Sequence, residues 1–266
     1  MKAIPDKLCE LFGVRFDISN GLIRCMGEPE KYFAEEPLDI LRALSFSSTI
    51  GFPLEESTAS AAMELRKGLL AVTAGDIREE LDRLICGRSV IDVMLRYREI
   101  IGEVIPELIP CFDFDQHSKY HKYDVYEHTV RAVDAVPAED VLLRRVMLLH
   151  DLGKPVTFRL DEKGVGHFKR HAEVGAEIAE GVLRRLGFDS EITEMSCELI
   201  RWHSVDMFTE EEAKQVLSEL GAEKFALLMQ VKIADNKAKN EFVLEENKWF
   251  DQCRRDHLKW AGETAE

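Results

Sequence analysis

Turn-forming residues are scarce in this 266-residue sequence: 8 prolines and 16 glycines are too few for the turn-dense chain of a sandwich or barrel, so the architecture must be mainly helical. The six cysteines (Cys9, Cys25, Cys86, Cys111, Cys197, Cys253) form no C-x-x-C pair and follow no secretory leader. That argues against a disulfide framework or a zinc ribbon and for reduced thiols in the cytoplasm. No apolar run approaches the roughly 18 residues that a membrane span needs. Positive charge is short too, with 35 Lys and Arg against 50 Asp and Glu. The net charge of -15 is spread over both halves, so strong nonspecific binding to nucleic acid is disfavoured. Apolar residues, at 45%, are plentiful enough to bury a full core and exclude disorder.

After an irregular lead-in over 1–30, the spacing of Phe33, Leu38, Leu41, Leu44 and Phe46 predicts one helix with an apolar face, closed near Gly51-Phe52-Pro53. Further helices are expected over 57–71, from the cap at Thr73 to Gly87, and over 88–101. A stretch rich in Pro, Asp, His and Tyr between Pro106 and Tyr123 reads as a subdomain boundary, which gives 1–105 and 106–266 as the expected domains. Beyond it helices are expected over 124–135, from about 138 to 150, and over 172–186, 191–202, 209–220 and 222–235, with a polar helix after 240. The turn Asp161-Glu-Lys-Gly164 marks a short hairpin within this helical run.

The chemistry is concentrated at helix ends. His150-Asp151 closes an apolar helix and is followed by Gly153 and Lys154. His128 lies on the preceding helix, Asp235 ends a later apolar one, and His171 and His203 mark the start and end of two helices between. An ionisable group at the end of an apolar helix must be paired, ligated or solvated, and one shared metal centre accounts for all of them. His128, His150, Asp151 and Asp235 would hold one divalent ion. If His171 and His203 take a second, Asp151 bridges; otherwise they are left to contact an anionic substrate, with Lys154 neutralising developing charge. Asp151, Lys154, His171 and His203 are thus the candidate catalytic group. Mixed imidazole and carboxylate donors leave Mn, Ni, Co, Fe, Zn and Mg open. Singly, each residue has a plainer reading: His128 and His203 as satisfied helix histidines, Lys154 as a solvated helix-end cation, Lys232 to Lys239 as a solvated face. His117, His121 and the pair Asp113 and Asp115 read as loop residues.

The order and helix-end placement of His128, His150-Asp151, His171, His203 and Asp235 resemble the HD-domain metal-dependent phosphohydrolases. Residues 22–37, Leu41-Arg-Ala43, Gly51-Phe52 and Ile77-Arg-Glu-Glu-Leu81 also resemble the neck of bacterial tRNA nucleotidyltransferases, the CCA-adding and poly(A) polymerase family. In some members an HD domain follows that neck, and Phe114-Asp-Gln-His117, Tyr123 to His128 and Gly166-His167-Phe168 are similar to its entry and hairpin. The resemblance implies an all-α protein, a multi-helix neck followed by a helical HD domain with a small hairpin insertion. The family's transferase head, with its Gly-Gly-Ser loop and carboxylate pair, is expected to be lacking. Its base-reading motif Glu-Asp-x-x-Arg stands here as Glu35-Glu36-Pro37-Leu38-Asp39, and Ser45 replaces a further Arg, so base selection by that motif is not expected. The implied activity is hydrolysis, by a metal-activated water, of phosphomonoesters or 2′,3′-cyclic phosphates on nucleotides or RNA ends. The alternative is an RNA-binding remnant, or the partner of a separately encoded nucleotidyltransferase, without transferase activity of its own.

Overall fold

Pro37 breaks the first expected helix in two. It lacks a backbone donor, so α1 (Pro29–Glu35) stops before it and α2 (Leu38–Ile50) starts with Pro37 as its N-cap. Phe33, Leu38, Leu41, Leu44 and Phe46 are nevertheless all buried. Gly51, at φ 75°, supplies the left-handed residue that ends α2. The computed structural model describes residues 16–17 and 21–263, so most of the expected lead-in lies outside the described residues. Among them are fourteen α-helices and two pairs of two-residue strands, an all-α fold.

The chain divides into two units, Met1–Ile109 with Arg185–Gly187, and Pro110–Arg184 with Phe188–Glu266. In the first, β1 (Phe16–Asp17) pairs antiparallel with β2 (Arg24–Cys25), and α3 (Glu56–Leu65) runs into a 3-10 turn at Arg66–Ala71. Thr73 caps α4 (Ala74–Ile85) by accepting from the Asp76 amide. The helix expected over 88–101 is two, α5 (Val90–Arg96) and α6 (Arg98–Val104), parted at Tyr97. α2 packs on α4, with Gly87 so close to the end of α2 that a Cβ there would lie 2.0 Å from Ser48 Oγ.

The second unit is built around α13 (Ala222–Lys237). Against it pack α7 (Val125–Ala135), α8 (Val141–Leu149), α11 (Ser190–Trp202), α12 (Glu210–Leu220) and α14 (Glu246–Glu263). Val130, Val146, Met147, Leu199, Phe225 and Leu228 are fully enclosed between these helices. Side-chain caps at Asp124, Asp140, Asp189 and Thr209 fix where four of the helices begin, the last as a capping box with Glu212. Between α8 and α10 (His171–Arg185) lie the one-turn α9 (Lys154–Thr157) and the expected hairpin. Its strands β3 (Arg159–Leu160) and β4 (Gly166–His167) pair antiparallel, and Asp161 Oδ1 accepts from the Lys163 and Val165 amides across the turn. No described helix is long and apolar enough to cross a membrane.

Candidate metal centre

α8 is apolar along its buried face and ends in His150, its C-cap, after which Asp151, Leu152 and Gly153 turn the chain into α9. That turn lies directly on the first turn of α10. A Cβ on Gly153 would sit 2.1 Å from the His171 carbonyl oxygen and 2.6 Å from the Gly175 nitrogen. Only glycine permits this approach, and it brings His171 to Asp151. The first turn of α7 contributes His128, the C-cap of α11 contributes His203, and the last turn of α13 contributes Asp235.

All four histidines are oriented alike. Each Nδ1 faces a backbone carbonyl: His128 that of Ala238 at 3.3 Å, His150 that of Met147 at 2.6 Å, His171 that of Phe168 at 2.8 Å, His203 that of Ile200 at 2.6 Å. A carbonyl can only accept, so Nδ1 carries the proton and donates, and in each neutral ring Nε2 keeps a lone pair. These Nε2 atoms meet in two pairs, His128 with His150 at 3.3 Å and His171 with His203 at 3.2 Å. Asp151 lies between the pairs. Its Oδ2 is 3.3 Å from His128 Nε2 and 3.1 Å from His150 Nε2, and its Oδ1 is 3.7 and 3.8 Å from those of His171 and His203. Asp235 Oδ1 stands 3.1 Å from His128 Nε2.

Both oxygens of Asp151 are buried and neither accepts a well-directed hydrogen bond. Facing lone pairs around an acceptor-only carboxylate repel unless a cation joins them, so the donor set fits divalent metal. His128, His150 and Asp151 converge on one position and Asp151, His171 and His203 on another, with Asp235 beside the first.

The electrostatics follow from burial and proximity. Burial opposes charge on His150, yet Asp151 and Asp235 raise its pKa to about 9. Burial together with the neighbouring His150 and His171 pushes His203 well below its ordinary value, and burial lowers His171 as well. Burial works against both carboxylates, but His150 and Lys154 hold Asp151, and Lys239 and His128 hold Asp235, well below the usual carboxylate range.

Several neighbours depart from the plainer readings. Lys154 is no solvated helix-end cation: it is buried, with Nζ 2.7 Å from Asp151 Oδ2 and donating to Gln116 Oε1 at 2.8 Å. Most of the stretch 232–239 turns inward rather than to solvent, with Lys237 exposed. Lys232, Asp235 and Asn236 are buried, Lys232 Nζ donates to the His203 and Val205 carbonyls, and Lys239 Nζ lies 2.7 Å from Asp235 Oδ2. His121 is a loop residue as expected, but its ring packs edge-on against that of His128, 5.2 Å between centroids, and burial beside Lys154 takes its pKa down to about 2. His117, Asp113 and Asp115 are exposed in the loop. In the first unit, Asp39 and Ser45 are buried and paired with Arg42 and Glu80. In the sequence Gln116 stands only as part of the Phe114 to His117 stretch, and nothing singles out Lys239 or Gly175 as site residues, although Gly175, one helical turn after His171, marks the close approach to Gly153. A cavity of about 260 Å³ opens over Asp151, His171 and His203, with Lys154, Lys239 and Asp235 in its lining.

Residues 119–240 match the family model described as HD domain. Over 246 residues the chain is 29% identical to the A-adding tRNA nucleotidyltransferase of Deinococcus radiodurans, covering 87% of this chain and 56% of that protein. It is 34% identical over 213 residues to the CC-adding tRNA nucleotidyltransferase of Thermus thermophilus, covering 76% and 48%. With a multifunctional CCA protein of Neisseria gonorrhoeae it shares 27% identity over 249 residues, covering 88% and 59%. The chain thus spans about half the length of the curated relatives it matches. The resemblance read from the sequence holds: residues 119–240 match the HD domain, and the chain is similar along most of its length to tRNA nucleotidyltransferases.

Proposed function

We propose that this HD-domain chain is a cytoplasmic metal-dependent phosphohydrolase that cleaves phosphomonoesters or 2′,3′-cyclic phosphates on nucleotides or RNA ends. One observation carries the reading: four imidazoles, three buried and that of His171 half-buried, each fixed by a carbonyl at Nδ1, present their Nε2 atoms in two pairs to the two oxygens of one buried carboxylate. His128, His150, Asp151 and Asp235 would hold one ion, and Asp151, His171 and His203 a second, with Mn, Ni, Co, Fe, Zn and Mg as candidates. Bound there, a divalent ion supplies Lewis acidity toward a phosphoryl oxygen and acidifies water toward neutral pH.

The chain's own residues supply the remaining functions. Lys154, held by Gln116, presents a desolvated cation beside Asp151, where it neutralises charge growing on a phosphate oxygen. Lys239 holds Asp235 ionised and oriented. The backbone carbonyls at the four Nδ1 atoms lock the rings so that no reorientation is needed when phosphate enters.

A second reading is favoured by the similarity that runs beyond residues 119–240 into the first unit. In it the first unit is a neck-like RNA-binding region, and the chain is a remnant or partner of a separately encoded nucleotidyltransferase. Elemental analysis of the purified protein, followed by phosphate release from 2′,3′-cyclic nucleotides and simple phosphomonoesters with Mn, Ni, Co or Mg, separates the two. Metal with turnover is the expected result; a metal-free and inert protein would leave the second reading.

A further inference from the structure

We infer that Phe208 is a specificity-determining residue that stacks on the nucleobase of the substrate at the mouth of the metal-centre cavity; this rests on the phosphate chemistry proposed for that centre. Phe208 lines the same cavity as Asp151, His171 and His203, yet it is 65% exposed. A single exposed apolar side chain is ordinary on a protein surface. This one is presented on a backbone that is held at several points. Lys232 Nζ donates to the His203 and Val205 carbonyls, and Trp249 Nε1 donates to the Met207 carbonyl at 3.0 Å. Met207 itself is buried. The Phe208 and Thr209 amides donate to Glu212 Oε2 at 2.8 and 3.0 Å, within the capping box that opens α12. The segment that runs from the candidate ligand His203 to the ring is therefore pinned by two side chains from other helices and by a helix cap.

The cavity is graded in chemistry. Asp151, His171, His203 and Lys154 lie at the metal centre, and Phe168 and Phe208 are the phenyl rings in the lining besides the buried Phe250. Phe168 is half-buried, packs against Phe158 at 5.5 Å, and has Lys154 Nζ 5.5 Å from its centroid, so it belongs to the charged end. Phe208 is left as the open π-face. A charged group at one end and a flat π-system at the other is the profile of a nucleoside phosphate. Stacking on a phenyl ring accepts every base, because each has a π-face, so the selection is for a base over none rather than for one base. A base-free phosphate would leave the ring in water.

The test is the affinity of manganese-loaded full-length protein for a non-hydrolysable phosphonate analogue of adenosine 3′-monophosphate and for inorganic phosphate, in wild type, Phe208→Ala and Phe208→Tyr, by isothermal titration. The expected result is that wild type binds the nucleotide about tenfold or more tighter than phosphate. Phe208→Ala should erase that margin through the nucleotide alone, and Phe208→Tyr should restore it with metal content unchanged. A nucleotide bound no tighter than phosphate by wild type overturns the inference, as does a Phe208→Ala variant that keeps the margin or loses both ligands equally. Binding with this pattern but no phosphate release from any substrate would instead defeat the hydrolase reading and leave the base platform standing.

Discussion

Two clusters of buried polar side chains, one in each unit, are satisfied in opposite ways. In the first, Ser45 Oγ donates to Glu80 Oε2 at 2.7 Å, Ser47 Oγ to the Phe52 carbonyl at 2.6 Å, and Ser48 Oγ to the Leu84 carbonyl at 2.7 Å. Asp39 accepts from Arg42 at 2.8 Å, and Thr58 Oγ1 accepts from the Cys25 amide at 3.0 Å. Donor meets acceptor in each case, as buried polar groups in a stable core require. In the second unit's cluster the match is looser: imidazole Nε2 faces imidazole Nε2 at 3.3 and 3.2 Å, and Asp151 stands among them without a well-directed donor. A satisfied polar group specifies a fold, whereas a mismatched cluster held in place by five helices and by the carbonyls at the four Nδ1 atoms specifies a site.

The largest expected effect breaks the second pattern at its centre. Asp151→Ala removes the one carboxylate shared by both histidine pairs, so bound metal should fall to background by elemental analysis and phosphate release should drop more than about 100-fold. Helical circular dichroism should persist, because the apolar core between α7, α8, α11 and α13 is untouched. Unchanged activity would sink the proposed site.

Two glycines sharpen the contrast next. A Cβ on Gly87 would strike Ser48 in the first unit, and one on Gly153 would strike the His171 carbonyl in the second. Either alanine should cost roughly 1–3 kcal/mol of stability by urea denaturation. Only Gly153→Ala should also deplete metal, since it pushes His171 away from Asp151. Equal metal content in both variants would show that the Gly153 approach does not position the site.

How much of this is legible in the sequence follows from the same contrast. The six converging residues are legible because His150-Asp151, His171, His203 and Asp235 sit at the ends of helices and His128 in a first turn, where polarity is at odds with an apolar stretch. The hairpin at Asp161 and the caps at Thr73 and Thr209 are legible because turn and cap chemistry is local. Lys232 and Lys239 are not: charge along a helix says nothing about whether a carbonyl or carboxylate from elsewhere waits opposite. Gln116 and Gly175 acquire their roles only from contacts with Lys154 and Gly153, distant in sequence. The break at Pro37 was obscured by an apolar period that continues through it with both helices buried on the same core.

A smaller effect belongs to the first unit. Ser45→Ala deletes one donor to Glu80, which keeps Arg42 and Arg83 as partners, so the loss should be about 1 kcal/mol in urea with metal content unchanged. A change in metal would mean that the units do not bury polar groups for separate ends.

The finest distinction is a proton. In the metal-free protein His150 Nδ1 donates to Met147, so the second proton that its pKa of about 9 implies must reside on Nε2, 3.1 Å from Asp151 Oδ2. Because that pKa is raised above the ordinary 6.5, this proton stabilises the metal-free fold fully below pH 6.5, and the contribution is lost as pH rises through about 9. Metal competes for the same lone pair and has the opposite dependence: its affinity should weaken by up to about tenfold for each pH unit below 9. At pH 7, metal uptake should release about one proton from His150, read as a difference in apparent binding heat between two buffers of unlike ionisation enthalpy. No release would mean that His150 is neutral before metal arrives and that the imidazoles of the second unit meet as bare lone pairs. Release shows instead that a proton already does for His150 and Asp151 what Arg42 does for Asp39, and that the mismatch in the second unit is held open for a cation.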